Sequence, residues 1–223
     1  MNLLYKFFYY FITLLLVILT ACSEPETEPE TEEQAPEILI LGSNPLKTGI
    51  YASFVDDSVQ ILSASGLLDS AWSIRNVDTS LLGKYTVDYY ARSLSGLEAT
   101  AQRDVWVVAT PVSMADSGWQ VKLVPEQGEV SYFNDTLITG SNKIEIKNFH
   151  NIPGAKIKLD LISDLNDVVS ISKQDVDSAT TVEGKGRIDD KTLLMLLNYS
   201  FISSKDTVFY QAVYTRDSIR TTR

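Results

Sequence analysis

The sequence predicts an all-β protein, in which an N-terminal β-sandwich is followed by a second antiparallel β-sandwich or barrel-like domain. Two observations support this prediction. Short segments that alternate apolar and polar residues recur from residue 38 to residue 216, with Gly, Asn, Asp and Pro between them. The apolar period of about 3.6 residues that marks an amphipathic helix is not found over a convincing length.

The composition is that of a globular protein, and it restricts the kinds of functional site that the chain can form. The chain has 223 residues, of which 44% are hydrophobic and 22% charged, and its formal net charge is -10. Because an acidic protein repels phosphate backbones, nucleic acid is not an expected partner. The single cysteine, Cys22, and the single histidine, His150, leave neither an internal disulfide nor a multi-histidine metal site. We therefore expect no metal, no cofactor and no histidine-based catalysis.

Residues 1–21 have the layout of a secretory signal peptide. Lys6 precedes an apolar run that is broken only by Thr13 and ends at Leu19, shorter than the roughly 20 residues of a spanning helix. The stretch "LTAC" at residues 19–22 resembles the bacterial lipobox. That resemblance implies cleavage before Cys22 and a diacylglycerol group on its thiol, so the membrane is an expected partner. The alternative is an uncleaved N-terminal anchor with an incidental cysteine.

Residues 22–35 form an acidic spacer after this cysteine. Six glutamates lie between Glu24 and Glu33, and proline and threonine alternate with them. Like-charge repulsion and proline favour an extended, disordered segment. Acidic residues directly after a lipidated cysteine also resemble the lipoprotein export signal of Bacteroidota, which implies the outer membrane and a cell-surface location.

Residues 36–109 form the first predicted β-sandwich. Tyr85, Val87 and Tyr89 share one face of a strand, Thr86, Asp88 and Tyr90 share the other, and Ser95-Gly96 supplies a hairpin turn. Short strands at this spacing, separated by glycine-marked turns, are typical of β-sandwiches.

Four short motifs in this region occur in an order known from one family. They are VDTS at residues 77–80, GKYTVDY at 83–89, Gly96 with Ala99, and RDVWV at 103–107. They resemble the bacterial Ig-like domain named after a Cry22-type crystal protein, which is common in Bacteroidota surface proteins. The resemblance covers about residues 38–108 and implies an Ig-like β-sandwich. The chain departs from the family at residues 93–97, so a calcium or polar-ligand role of that turn is not carried over.

Several notable residues of this unit have structural interpretations. Gly83-Lys84-Tyr85 resembles a tyrosine corner, in which the phenol bonds to nearby backbone. Asp56-Asp57 is more typical of a solvated turn than of a cation site. Trp106 is opposite in phase to Val105 and Val107, so either the tryptophan or the two valines must face outward.

Residues 110–223 contain eight strand candidates at short, regular intervals, which favours a closed meander or a sandwich. Gly184-Lys185-Gly186 between them is interpreted as a turn or bulge. The end of the chain, with GKGRID at residues 184–189 and VYTR at 213–216, resembles the small uncharacterised β-domains that follow Ig-like modules in Bacteroidota lipoproteins. This resemblance implies a fold and a location but no reaction.

The sequence contains none of the common nucleophile, phosphate-loop, zinc-protease or dinucleotide motifs. Carboxylate pairs such as Asp164 with Asp167 are explained by turn formation. We therefore expect a protein that is not an enzyme and has no catalytic residues.

Two kinds of function remain compatible with the sequence. The first is a surface lipoprotein that binds a polysaccharide or other extracellular ligand, because aromatic rings near loops and strand ends can stack on sugars. The candidate ligand-binding residues are Trp72, Trp119, Tyr132 and Phe133. For each of them, packing in the protein core is the competing explanation. The second function is a structural spacer or assembly lipoprotein that contacts another outer-membrane protein.

Overall fold

The computed structural model describes residues 34–62, 67–140 and 143–216 and confirms the all-β class. These residues form a two-stranded sheet, a four-stranded sheet and a closed eight-stranded barrel. The predicted signal peptide, Cys22 and nearly all of the acidic spacer lie outside the described residues. Within the described ranges, no helix is both long and apolar enough to span a bilayer.

The first two sheets face each other as a small sandwich. Its strands are β1 (Glu37–Ile40), β2 (Leu46–Gly49), β3 (Val59–Leu62), β4 (Leu68–Arg75), β5 (Gly83–Ser93) and β6 (Glu98–Val108). Strands β1 and β3 pair antiparallel, and the larger sheet has the order β2-β6-β5-β4, with β2 parallel to β6. The predicted hairpin turn is present between β5 and β6, where Gly96 has a φ of 89° that glycine adopts readily.

Alternation along β5 and β6 decides which side chains enter the sandwich core. Val87, Tyr89 and Val105 are buried, and apolar residues of β1 and β3 pack against them. Trp106 therefore faces outward, where the Nζ atoms of Lys47 and Lys84 lie 5.0 and 4.4 Å from the centre of its ring. On the inner face, the Tyr85 hydroxyl donates to the Leu81 carbonyl at 3.1 Å, as expected for a tyrosine corner.

A buried arginine occupies the same core. The Arg103 side chain is fully buried, and its Nη2 donates to the carbonyls of Leu41 and Ser58. Its Nη1 lies 3.5 Å from Oδ1 of Asp56, whose buried carboxylate also accepts a hydrogen bond of 2.8 Å from the Tyr89 hydroxyl. Burial, together with this carboxylate, raises the pKa of Tyr89 to about 12. Asp56 is thus the partner of a buried cation and does not belong to the solvated turn that the sequence predicted.

The C-terminal strands form the barrel, each overlapping one predicted strand segment. The strands are β7 (Asp116–Pro125), β8 (Ser131–Gly140), β9 (Lys143–Ile146), β10 (Ile157–Ile162), β11 (Val168–Asp175), β12 (Thr180–Ile188), β13 (Met195–Ser203) and β14 (Thr207–Arg216). Neighbours in sequence pair antiparallel, and β14 pairs with β7 to close the ring. A four-residue helical turn, α1 (Pro111–Met114), precedes β7, and a 3₁₀ turn (Phe149–Asn151) joins β9 to β10.

Large side chains fill the barrel interior. Trp119 is fully buried, packs edge-on against Tyr214 and donates from Nε1 to the Met114 carbonyl at 3.2 Å. The buried Asp135 carboxylate accepts backbone N–H bonds from Thr136 and Asn148 at 2.7 and 3.0 Å. Burial raises the pKa of Asp135, although these bonds act in the opposite direction.

The core of the barrel continues into the sandwich. Ile50, Leu82 and Val107 belong to the same buried cluster as the barrel residues. Backbone hydrogen bonds cross the junction, from Leu82 N–H to the Asp190 carbonyl and from Ala109 N–H to the Leu165 carbonyl, each at 3.0 Å. The predicted domain boundary between residues 109 and 110 remains a prediction.

We expect Asp56→Ala to lower the free energy of unfolding by about 3–5 kcal/mol, because it leaves the Arg103 charge buried without its carboxylate. Asp57→Ala is the matched control, since the Asp57 side chain is 47% exposed and lies 3.8 Å from the same guanidinium. We expect that control to cost less than about 1 kcal/mol. Urea unfolding of the two variants measures the difference, and equal losses would contradict the assigned role of Asp56.

Candidate ligand-binding surfaces

Trp72 lies on the outer face of the sandwich, on β4. It is paired in register with Tyr90 of β5, and the two rings are nearly parallel, with centroids 5.1 Å apart and planes at 6°. Trp72 is 46% exposed, so part of this residue is accessible to solvent beside its contact with Tyr90. Cross-strand aromatic pairs of this kind are stabilised by mutual contact and hold each ring in a fixed orientation.

Polar and apolar groups surround this aromatic pair. Ile74, two residues along β4 on the same face, is exposed and opposes Asp88. The Asp88 carboxylate accepts a hydrogen bond of 2.9 Å from Nε2 of Gln102 on β6. The surface therefore offers a flat aromatic ring next to a hydrogen-bonded polar pair.

The four residues that the sequence predicts as ligand-binding do not come together. Trp72 is on the sandwich, whereas Trp119 is fully buried in the barrel and cannot stack on a ligand at the surface. Phe133 is half-buried and packs against the barrel core. Tyr132 is 73% exposed on the outer face of β8. Of the four, Trp72 and Tyr132 are the residues available to a ligand, and they lie on different sheets.

A groove of about 790 Å³ crosses the outer face of the barrel over β11, β12, β13, β14 and the end of β7. Most of its lining residues carry a polar side-chain group, whereas the accessible surface of the lining is predominantly apolar. The outward-facing side chains along it include Lys185, Asn198, Gln211, Glu183, Ser200 and Phe209.

Strand register places these side chains in two rows. Lys185 opposes Asn198, which opposes Gln211, and Gln211 opposes Val124. Nε2 of Gln211 donates to Oδ1 of Asn198 at 3.0 Å, so the two amides hold each other. The next row contains Glu183, Ser200 and Phe209, and the phenyl ring of Phe209 is 57% exposed.

Two glycines shape the strand beneath the groove. Gly184 and Gly186 lie inside β12, so of the two predicted alternatives the turn is wrong, whereas the bulge agrees with a register shift next to Gly184. A Cβ atom at Gly184 would lie 2.6 Å from Cβ of Tyr199, which shows how closely β12 and β13 approach. A register shift in β11 between Ile171 and Gln174 adds an irregularity on the other side of β12. An irregularity of this kind bends the strand that carries it.

The single histidine lies in an aromatic cluster that sequence reasoning missed. The His150 ring centre lies 4.4 Å from that of Phe201 and 4.5 Å from that of Tyr210, and its Nδ1 is 2.9 Å from the Tyr199 hydroxyl. His150 has a left-handed φ of 58° in the 3₁₀ turn. Burial lowers the pKa of His150 and raises that of Tyr199.

Within the described ranges, no group of three or more His, Cys, Asp or Glu side chains is placed to hold a metal ion. The Asp56-Asp57 pair faces the guanidinium of Arg103. Two exposed surfaces are therefore the candidate sites: the Trp72 face of the sandwich and the groove on the barrel.

Comparison with known proteins does not assign this chain to a family. No protein-family model matches it, and no curated protein matches it. The Ig-like assignment therefore rests on the sequence motifs alone.

Two solved structures share low similarity with it. A lipoprotein from Bacteroides thetaiotaomicron has 15% sequence identity and a TM-score of 0.32, over 80% of this chain and 98% of that chain. The structure of CBM51-2 in complex with GlcNAc and INT domains from Clostridium perfringens ZmpB has 13% identity and a TM-score of 0.27. That match covers 82% of this chain and 44% of the other. Similarity at this level does not establish a shared function.

The partly buried His150 side chain should make the free energy of unfolding depend on pH. Because the folded-state pKa of His150 lies below its ordinary value, the unfolded chain takes up a proton first as the pH falls below about 6.5. Stability is therefore unaffected by His150 above that pH and decreases below it. We expect up to about 1 kcal/mol of loss between pH 7.5 and pH 5.5.

The variant His150→Asn tests this, since asparagine tolerates the left-handed backbone of the turn. Urea unfolding is measured at both pH values for the wild type and the variant. We expect the wild type to lose more stability than the variant over this interval. Equal losses would show that another group is responsible.

Proposed function

We propose that this protein is a non-enzymatic lipoprotein of the cell envelope that binds an extracellular polysaccharide. The observation that carries the proposal is the parallel Trp72–Tyr90 pair on the open face of the sandwich. In this proposal the protein is anchored in the outer membrane and faces the cell exterior.

The chemistry of the Trp72 face matches that of a sugar. One side of a pyranose ring carries C–H groups, which pack on an aromatic face, and its rim carries hydroxyls, which need hydrogen-bond partners. Trp72 offers the aromatic face, and the Asp88–Gln102 pair lies two residues further along the same sheet face. The entropy lost when a ligand orders the Trp72 side chain is small, because Tyr90 already holds the indole in place.

The sequence supports attachment to the membrane. The "LTAC" stretch resembles a lipobox, and the acyl chains that this implies would bury many methylenes, each worth about 0.8 kcal/mol. The acidic segment that follows leads directly into the described body at residue 34. This arrangement supports a folded body that is tethered to a membrane by an extended spacer.

A protein partner is the alternative, and one observation favours it. Exposed leucines lie near one end of β4 and in the adjacent β5–β6 hairpin: Leu67, Leu68, Leu94 and Leu97. In the described part of the chain, β4 is an edge strand that pairs with β5 alone. Exposed apolar side chains beside a free strand edge are typical of surfaces that dock another protein.

Native affinity electrophoresis tests the polysaccharide proposal. Residues 34–223 are run through gels that contain plant, host or microbial polysaccharides. We expect retardation by at least one polymer, and Trp72→Ala should weaken it about fivefold, which corresponds to about 1 kcal/mol.

Trp106→Ala is the matched control, because Trp106 also lies on the outer face of the sandwich but is covered by two lysines. It should leave the retardation unchanged. If no polymer retards the protein, the assembly alternative gains support. In that case, Leu94→Asp should reduce crosslinking of the full-length lipoprotein to neighbouring membrane proteins.

The anchor is tested with Cys22→Ala. We expect the wild-type chain to incorporate labelled palmitate and to fractionate with membranes, and we expect the variant to lose the label, because it is the only thiol in the sequence. Persistent labelling of the variant would exclude lipidation at Cys22. Membrane association without any label would favour the uncleaved anchor.

A further inference from the structure

We propose that the groove on the outer face of the barrel is a second binding site, and that its ligand is a short, uncharged oligosaccharide. The ligand class rests on the proposed function, whereas the site is separate from the Trp72 face. Its volume of about 790 Å³ is within the range of about 300–1,000 Å³ that small-molecule pockets occupy.

The amide pair in the groove is suited to vicinal hydroxyls. The bond from Gln211 to Asn198 uses one donor and one acceptor. Both N–H groups of Asn198, one N–H of Gln211 and the Gln211 carbonyl oxygen remain for a ligand. A sugar presents adjacent hydroxyls that each donate and accept, so a fixed set of donors and acceptors on neighbouring strands matches it.

The charges of the groove favour an uncharged ligand. Lys173 and Lys185 contribute two positive charges to the lining, and Glu126 and Glu183 contribute two negative charges. Because the lining carries equal numbers of positive and negative side chains, its net charge is zero, and the groove itself steers neither a polyanion nor a polycation toward it. The charged groups still supply hydrogen-bond donors and acceptors for hydroxyls.

Phe209 supplies the apolar contact. Its exposed ring lies in the row next to the amide pair, across from Ser200 on β13. An exposed aromatic ring beside amide side chains combines a stacking surface with hydrogen bonds. This is the same combination that a pyranose ring requires.

The backbone beneath the groove argues against an extended peptide as the ligand. Strands β11, β12, β13, β14 and β7 pair with one another across the groove, and the barrel is closed. A peptide that binds by strand addition needs a free sheet edge with unpaired backbone groups. The five strands beneath the groove therefore do not offer the continuous free edge that strand addition requires.

The barrel interior does not extend the site. Beneath the groove, Tyr199 and Tyr210 point inward and pack at 5.7 Å between ring centres, next to Phe149 and Phe201. The ligand therefore lies on the outside of the barrel, where Phe209 and the amide pair are.

Amide chemical-shift mapping by NMR tests the site. Residues 34–223 are titrated with cellohexaose, maltohexaose, xylohexaose and chitohexaose, and with a hexamer of galacturonic acid as the charged comparison. We expect at least one neutral hexamer to shift the amides of residues 183–185, 198–200 and 209–211 in a saturable manner. The galacturonate hexamer should not shift them.

Three variants distinguish binding in the groove from binding elsewhere on the protein. Phe209→Ala should raise the Kd at the groove at least tenfold, whereas Tyr132→Ala removes a still more exposed ring outside the groove lining and should leave it unchanged. Trp72→Ala should also leave the groove shifts unchanged.

Shifts confined to β4 and β5 would overturn the groove site and leave the proposed function intact. Groove shifts without retardation in polysaccharide gels would support the groove and reject the Trp72 surface. A preference of the groove for the galacturonate hexamer would overturn the assignment of an uncharged ligand. Absence of groove shifts with all four neutral hexamers would overturn the site.

Discussion

The pairing of β14 with β7 is the constraint on which the barrel and its outer surface depend. It joins the last described strand to the first strand of the barrel, from Tyr210 opposite Pro125 to Arg216 opposite Trp119. Once the ring is closed, alternate side chains must point either into the filled core or to the solvent. The row that carries Lys185, Asn198 and Gln211 continues across this seam to Val124, so the groove exists only in the closed barrel.

Much of the fold could be predicted from the sequence because alternation within a strand is a local property. The all-β class, the eight barrel strands and the hairpin at Gly96 followed from residue type and spacing. Alternation alone leaves open which face is inside, as Trp106 and its two neighbouring valines illustrate. The structure resolves this because β1 and β3 cover the valine face of the sheet.

The candidate sites were less predictable because they depend on contacts between distant segments. Trp119 follows a loop-like stretch, yet α1 and Tyr214 enclose it. Arg103 belongs to a recognisable motif, but its burial depends on the carboxylate of Asp56, which lies 47 residues earlier in the chain. The groove unites side chains of five strands, so no short stretch of sequence contains its signal. A single histidine in the sequence gives no sign of its neighbours, yet four aromatic rings lie around His150.

The core that runs from the sandwich into the barrel has a thermodynamic consequence. Because Leu82 and Val107 are buried together with barrel residues, we expect the described body to melt in a single cooperative transition. A molecule bound at either surface would then stabilise the whole body by mass action, in proportion to the logarithm of its concentration above the Kd. Occupancy of the barrel would protect the sandwich from proteolysis, even without any direct contact between the ligand and the sandwich.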